Sequence, residues 1–361
     1  MKFSILVPAF NEEQSITSCL DSLTKVVYEN KEIIVIDDAS NDHTIQMVEK
    51  FLDKGVILVR REKNGGRAAA LNSGLQKTTG DIVITTDADT IVPSDWLLRF
   101  KKHFEQEGVV AVGGSYMAKN KDKLLANVTS VLDEIFNSIF RKSVVPNKLS
   151  GVNSAMRRKE LLALGGFNEN SWWSEDSELG WKLSETGRIV YDPDNIVATD
   201  YPDTWRGIWK RKFYWGYAMG LKFRERVPFN IKLLLRPFIF ITLFLSFFAF
   251  LLTIPFGTKV FLIPFAIFFF LLSSLTIVYI PLGLAVMVKN AAHVSMKTLI
   301  VLGILPFIRE FAYVYGMCLG FFKGRVGKIR PSWKDKSQGI DINGNANINI
   351  KKAQGIRHCK H

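Results

Sequence analysis

From Lys2 to Ile84 the chain alternates short runs of branched apolar residues with longer stretches of helical periodicity. Lys2 to Val7, Glu32 to Ile36, Val56 to Arg60 and Ile82 to Ile84 have strand length and β-branched character. Between them, Glu12 to Lys25, Asp42 to Phe51 and the segment near Arg67 to Gln76 read as helices. This order predicts an α/β fold, a mostly parallel sheet covered by helices on both faces. After Val109 to Gly113 the alternation fades, and Lys123 to Lys142 has the pattern of an amphipathic helix. Ser150 to Arg158 and Gly165 to Asn168 read as loops closing a cavity, their small residues permitting close approach to a ligand. A further helix follows Ser174, its expected cap, with Glu175 and Asp176 in the first turn and Trp181 and Leu183 facing inward.

The pattern changes character past Tyr201. Trp205 to Arg226 interleaves aromatic residues with bases, which suits helices at a membrane surface and equally suits packing against the preceding domain. Pro237 to Phe256 and Val260 to Val288 are each long enough to cross a hydrocarbon core of ~30 Å. Thr298 to Phe322 carries Arg309-Glu310 at its middle, a costly pair in lipid unless it is buried in protein or in a polar cavity. That segment either crosses or dips in and returns. Two crossings plus a re-entrant or interfacial segment keep the basic Lys323 to Arg330 in the cytoplasm, and this arrangement is preferred. The resulting division is a catalytic head over 1–204, interfacial helices over 205–236, a membrane region over 237–322 and a basic tail over 323–361 that is expected to be disordered.

Composition sharpens this division. Of the 361 residues, 48% are hydrophobic and 27 are Phe, an excess concentrated between Arg236 and Phe322. The first apolar run, Phe3 to Val7, is cut by Pro8 and is too short for a signal peptide, so the head is expected in the cytoplasm of a multi-pass membrane protein. Cys19, Cys318 and Cys359 lie in unlike segments and imply neither a disulfide framework nor a zinc site. The net charge of +13 is gathered beside the apolar segments, which points to anionic lipid and away from nucleic acid.

The candidate chemistry lies at the strand tips. Strand one ends in Pro8-Ala9-Phe10-Asn11-Glu12, strand two in Asp37-Asp38-Ala39-Ser40, and the strand at Ile82 in Asp87-Ala88-Asp89. In a parallel sheet these ends form the ligand edge. Asp37 or Asp38 suits the donors of a base and ribose, and Asp87 with Asp89 suits a divalent cation holding a diphosphate. Arg67 opens a helix after Gly65-Gly66, where the helix dipole disfavours a cation, so an anion in the cleft explains it better than local stability. Glycine spacing matches neither a P-loop nor a dinucleotide fingerprint. Trp172 and Trp173 offer an apolar platform for a sugar face.

Taken together, Val7-Pro8-x-x-Asn11-Glu12, Asp37-Asp38-x-Ser40, Gly66-Arg67-x-x-Ala70-Leu71-Asn72-x-Gly74, Asp87-x-Asp89, Gly165-Gly166-Phe167 and Glu175-Asp176 resemble the membrane-anchored family-2 glycosyltransferases of GT-A fold. The resemblance covers roughly Met1 to Trp215. It implies inverting transfer from a nucleoside-diphosphate sugar with Mn²⁺ or Mg²⁺. Asp37 and Asp38 would then sit at base and ribose, Arg67 near the nucleotide, and Asp87 and Asp89 at the diphosphate and metal. Asp176 would be the general base beside Glu175. Asp200 is a weak additional metal ligand, and Gly166, Trp172, Trp173 and Trp215 belong to the acceptor and sugar side. Processive members carry Gln-x-x-Arg-Trp where this chain has Arg211-Lys212-Phe213-Tyr214-Trp215, which favours single addition. An intact Glu175-Asp176 favours a hydroxyl acceptor, the end of a lipid-linked glycan. Rival expectations are a polyprenyl-phosphate sugar synthase, a processive exopolysaccharide synthase, or a catalytically silent nucleotide-sugar sensor or scaffold.

Overall fold

In a computed structural model, residues 1–136, 149–171, 175–224 and 295–323 are described. Strand β1 (Phe3–Ala9) is buried along nearly its whole length, as an apolar run without polar alternation requires at the centre of a sheet covered on both faces. It pairs in parallel with β2 (Lys31–Asp37) on one side and β4 (Ile82–Thr85) on the other, and β3 (Val56–Arg60) extends the sheet beyond β2. The seven-stranded order is β3-β2-β1-β4-β6-β5-β7, with β5 (Val109–Ala118), β6 (Ser154–Arg157) and β7 (Arg188–Thr199).

Alternate residues of β1 point to two cores. Phe3, Ile5 and Val7 pack with Ile16 and Leu20 of α1 (Ile16–Thr24), Val48 of α2 (Thr44–Glu49), and Trp96 and Phe100 of α4 (Trp96–Phe104). Leu6 faces the other layer, with Ala70 and Leu71 of α3 (Arg67–Leu75) and Leu179 and Leu183 of α7 (Glu175–Ser184). Gly74 lets α3 settle onto the sheet, since a Cβ there would stand 2.6 Å from Ile36 Cδ1.

Three features depart from the pattern-based expectation. Ser150 to Arg158 is not wholly a loop. Its Ser154–Arg157 is β6, antiparallel between β4 and β5 with Val83 opposite Met156, and Arg158 opens α6 (Arg158–Ala163). Four residues without a β-branched side chain carry no strand signal. Neither α4 nor β7 was expected, and β7 contains Pro193 within a register shift that carries Asp192 and Ile196 opposite consecutive residues of β5. Trp181 is 41% exposed, because Leu179 and Leu183 take the inward face of α7 and the residue between them points away.

The amphipathic helix after Lys123 is α5 (Leu124–Phe136), with 137–142 outside the described residues. It meets α8 (Trp205–Arg224) and α9 (Met296–Lys323) in an apolar cluster of Val128, Leu132, Ile208, Leu302 and Leu305. Helices α8 and α9 run parallel and touch backbone to backbone. A Cβ at Gly216 would meet the Tyr313 oxygen at 1.8 Å, and one at Gly316 the Phe213 oxygen at 2.0 Å. Of the mid-segment pair, Arg309 is buried in protein. It donates to the Asp133 carboxylate and, at 3.3 Å, to the Thr129 carbonyl of α5. Among the described residues α9 is the one helix long and apolar enough to cross a membrane, with a mean hydropathy of 1.5, by length and composition only. The expected spans 237–256 and 260–288 and the tail after 323 lie outside the described residues.

Candidate active site

The tips of β1 and β2 are locked together by side chains. Asn11 and Ala39, both non-glycine residues in the left-handed region (φ 55° and 63°), face each other across this edge. The Asn11 N–H donates to Ser40 Oγ at 3.0 Å, and Asn11 Oδ1 accepts the Asn41 N–H at 2.9 Å. The Glu12 N–H donates to Thr44 Oγ1 at 2.8 Å, and the Ala9 carbonyl accepts the Asp38 N–H at 2.8 Å. Backbone held in these sparse conformations costs energy and gathers at ligand-binding edges.

Asp37 and Asp38 have different surroundings. Asp38 accepts the N–H groups of Gly65 at 3.1 Å and Gly66 at 2.7 Å, together with the Arg61 guanidinium. Burial pushes its carboxyl up, against the pull of these donors. Its task is to shape the glycine turn that opens α3. Asp37 Oδ2 accepts the Ser40 N–H at 3.2 Å, while Oδ1 is buried with no hydrogen-bond partner among the described residues. Of the pair, Asp37 therefore retains acceptor capacity at this edge.

Arg67 is the hub of the opposite side. Nε donates to Asp87 Oδ1 at 3.0 Å, Nη1 to Glu175 Oε1 at 3.2 Å and Nη2 to the Gly151 carbonyl at 2.6 Å. Burial alone would lower its pKa, but Asp87, Glu175 and Asp176 reverse that and raise it. The anions that offset the unfavourable start of α3 are thus the protein's own carboxylates. Asp176 is partly exposed. It accepts the Gly151 N–H through Oδ2 at 3.0 Å and the Ser177 N–H through Oδ1 at 2.6 Å.

Asp89 is 6% exposed and accepts Thr199 Oγ1 at 2.9 Å, a contact made possible by the Ile91–Ala198 bridge between this tip and β7. Lys119 reaches the Asp89 carbonyl at 3.2 Å and Asp200 Oδ1 at 3.2 Å, so Asp200 is drawn beside Asp89 but engaged by a cation. Among the described residues no cluster of three or more His, Cys, Asp or Glu side chains is placed to hold a metal ion. Asp87 and Asp89 would supply two hard oxygen donors, a donor chemistry that suits Mg²⁺ or Mn²⁺.

Among the residues expected to meet acceptor and sugar, Gly166 has φ 79°, and a Cβ there would stand 2.6 Å from Asn72 Oδ1. Asn72 grips the neighbouring backbone, accepting the Phe167 N–H and donating to the Phe167 carbonyl, both at 2.8 Å. Trp215 has Arg211 over its ring at 5.1 Å and Lys212 at 4.2 Å. Trp172 and Trp173 lie outside the described residues. Sequence reasoning did not single out Gly151, Thr199 or Lys119, which reach the site only through the pairing of β5 with β6 and β7.

A GT-A-like sheet with acidic tips converging on its carboxyl edge defines the class. Residues 4–161 match the family model for glycosyl transferase family 2. The poly-beta-1,6-N-acetyl-D-glucosamine synthase of Staphylococcus aureus (strain COL) is 30% identical over 221 residues, covering 59% of this chain and 53% of that protein. Its Staphylococcus epidermidis counterpart is 28% identical over 219 residues with the same coverage. The chain spans about half the length of these curated relatives. Among solved structures, the mannosyltransferase PcManGT from Pyrobaculum calidifontis, in complex with GDP-Man and Mn²⁺, superposes with a TM-score of 0.57 at 20% identity. It covers 90% of this chain and 88% of that one, a likeness of fold.

Proposed function

We propose that this protein is an inverting glycosyltransferase that moves one sugar from a nucleoside-diphosphate sugar to a hydroxyl of a membrane-associated acceptor. The observation that carries the reading is the convergence of Asp87 and Glu175 on one half-buried guanidinium, with Asp176 at the next position. Donor-side and acceptor-side carboxylates thereby line one cleft at the carboxyl edge of the sheet, where such folds bind ligands. Asp37 would accept from ribose or base, and Asp87 and Asp89 would hold the divalent cation. The chemistry it would supply there is charge neutralisation of the diphosphate leaving group. Asp176 takes the acceptor hydroxyl's proton as the glycosidic bond forms. Relatives named as polymer synthases favour a GlcNAc-type donor, while Arg211 and Tyr214, standing where processive members have Gln and Arg, favour single addition.

The C-terminal helices support a membrane setting. The face of α9 opposite Arg309 exposes Met296, Ile300, Ile304, Phe311, Tyr315 and Phe322, and Lys297, Lys323 and Arg224 stand near its ends. An apolar stripe flanked by bases suits a helix in the plane of an anionic membrane surface. A lipid-linked glycan is the acceptor that a head held at such a surface would meet.

The test is hydrolysis of a panel of nucleoside-diphosphate sugars by the purified chain with Mn²⁺, Mg²⁺ or chelator. Slow, metal-dependent release of nucleoside diphosphate from one donor is expected. Binding without turnover in every condition would favour a silent sensor, and no binding of any donor would overturn the reading.

A further inference from the structure

Gly151 is held from both sides. Its carbonyl accepts Arg67 Nη2 at 2.6 Å, and its N–H donates to Asp176 Oδ2 at 3.0 Å. The same guanidinium reaches Glu175 Oε1 at 3.2 Å and Asp87 Oδ1 at 3.0 Å. Each of its three nitrogens is thus engaged by a different protein segment: the tip of β4, the turn before β6 and the first turn of α7. A Cβ on Gly151 would lie 3.0 Å from Arg67 Cζ, so a residue without a side chain lets the guanidinium rest on that turn. Arg67 is itself fixed at its root. Gly66 (φ 83°) starts α3, and Asp38 holds the Gly65 and Gly66 N–H groups.

We propose that Arg67 is a positioning residue and not a nucleotide ligand: through Gly151 and Glu175 it fixes Asp176, on the acceptor side, relative to Asp87 on the donor side. This rests on the glycosyltransferase reading above. A planar fork can serve three acceptors at set angles, whereas the single ammonium of lysine cannot. Removing the fork leaves Asp176 present but misplaced. A misplacement of about 1 Å costs on the order of 100-fold in rate, while the donor's own contacts survive.

The experiment uses the full chain as wild type, Arg67→Gln, Arg67→Lys and Gly151→Ala. Amide hydrogen exchange is measured first, without any donor. Arg67→Gln is expected to exchange faster over 149–153 and 175–178, with β1 to β3 as protected as in the wild type. Turnover of UDP-GlcNAc and GDP-mannose is measured next, with UDP and GDP affinity by calorimetry. For Arg67→Gln, kcat is expected to fall about 100-fold, with KM and nucleotide affinity unchanged within about threefold. Arg67→Lys should not restore kcat, and Gly151→Ala should shift exchange and kcat in the same direction by less.

Unchanged exchange in both segments would overturn the proposal. So would rescue by Lys, which would reduce the role to charge, or a tenfold or larger loss of nucleotide affinity, which would make Arg67 a nucleotide contact. If the wild type turns over neither donor, it is the glycosyltransferase reading that loses support, and the exchange data still decide whether Arg67 positions Gly151 and Asp176.

Discussion

Arg309, in the middle of α9, donates to the Asp133 carboxylate of α5, and both side chains are buried. Lys212 of α8 stands 3.3 Å from the same Asp133 oxygen, so one carboxylate ties three helices together. Burial works against the charge on Asp133, but Arg309 and Lys212 outweigh it and hold the carboxyl far below its usual range. Removing one member leaves the buried charge that remains under-compensated, and loss of a buried partner costs about 3–5 kcal/mol. Asp133→Asn and Arg309→Met should each lower stability by about 3 kcal/mol in denaturant titrations. A change below about 0.5 kcal/mol would mean that the helices are held by apolar contacts alone.

Much of the sheet was legible in advance because each of its first four strands is a short branched apolar run closed by a turn, a signal that depends only on near neighbours. Val56 to Arg60 coincides with β3, and the other three strands extend beyond their expected bounds by at most two residues at an end. What escaped the sequence depends on partners distant along the chain. Strand β6 exists because β4 and β5 leave a gap that Ser154–Arg157 fills, and Thr199 reaches Asp89 only because β7 pairs with β5. The division of labour between Asp37 and Asp38 was hidden for the same reason, since the Gly65-Gly66 turn chooses its acceptor by tertiary placement. Arg309 read as a mid-segment charge in need of burial in protein or a polar cavity, and nothing near it in sequence names Asp133 as its partner.

Glu32 carries the clearest pH dependence in the sheet. Its carboxylate accepts from Ser4, from the Thr79 N–H and hydroxyl, each at 2.7 Å, and from Lys2 at 2.9 Å. This network joins the starts of β1 and β2 to the turn before β4. Burial opposes the charge, but the hydrogen bonds outweigh it and draw the carboxyl down from 4.5 to about 2. Because the folded value is depressed, the stabilisation is fully present above the unfolded pKa and is lost as pH falls from 4.5 towards about 2. Glu32→Gln should cost about 1–3 kcal/mol at neutral pH. The gap to wild type should close across that acid window in unfolding curves, and a gap independent of pH would remove Glu32 as the titrating group.

The parallel seam between α8 and α9 makes a prediction of opposite signs within one helix. Gly216 and Gly220 face Gly316 and Gly320, and every Cβ added along the seam would meet a backbone carbonyl of the other helix at 1.8–2.2 Å. Backbone cannot swing aside as a side-chain end can, so alanine there forces the helices apart and opens the contact on which the Arg309–Asp133 pair depends. Small residues four apart are what allow such close approach, in a membrane or against one. Gly303 lies in the same helix with nothing within 4 Å of its added Cβ. Alanine at 303 should therefore gain about 0.8–1 kcal/mol of helix propensity, whereas Gly216→Ala or Gly316→Ala should lose about 1–3 kcal/mol or more by overpacking. Thermal unfolding of the three variants in one detergent or nanodisc preparation compares them directly. Equal shifts of the same sign at all three positions would show that α8 and α9 do not meet along this seam.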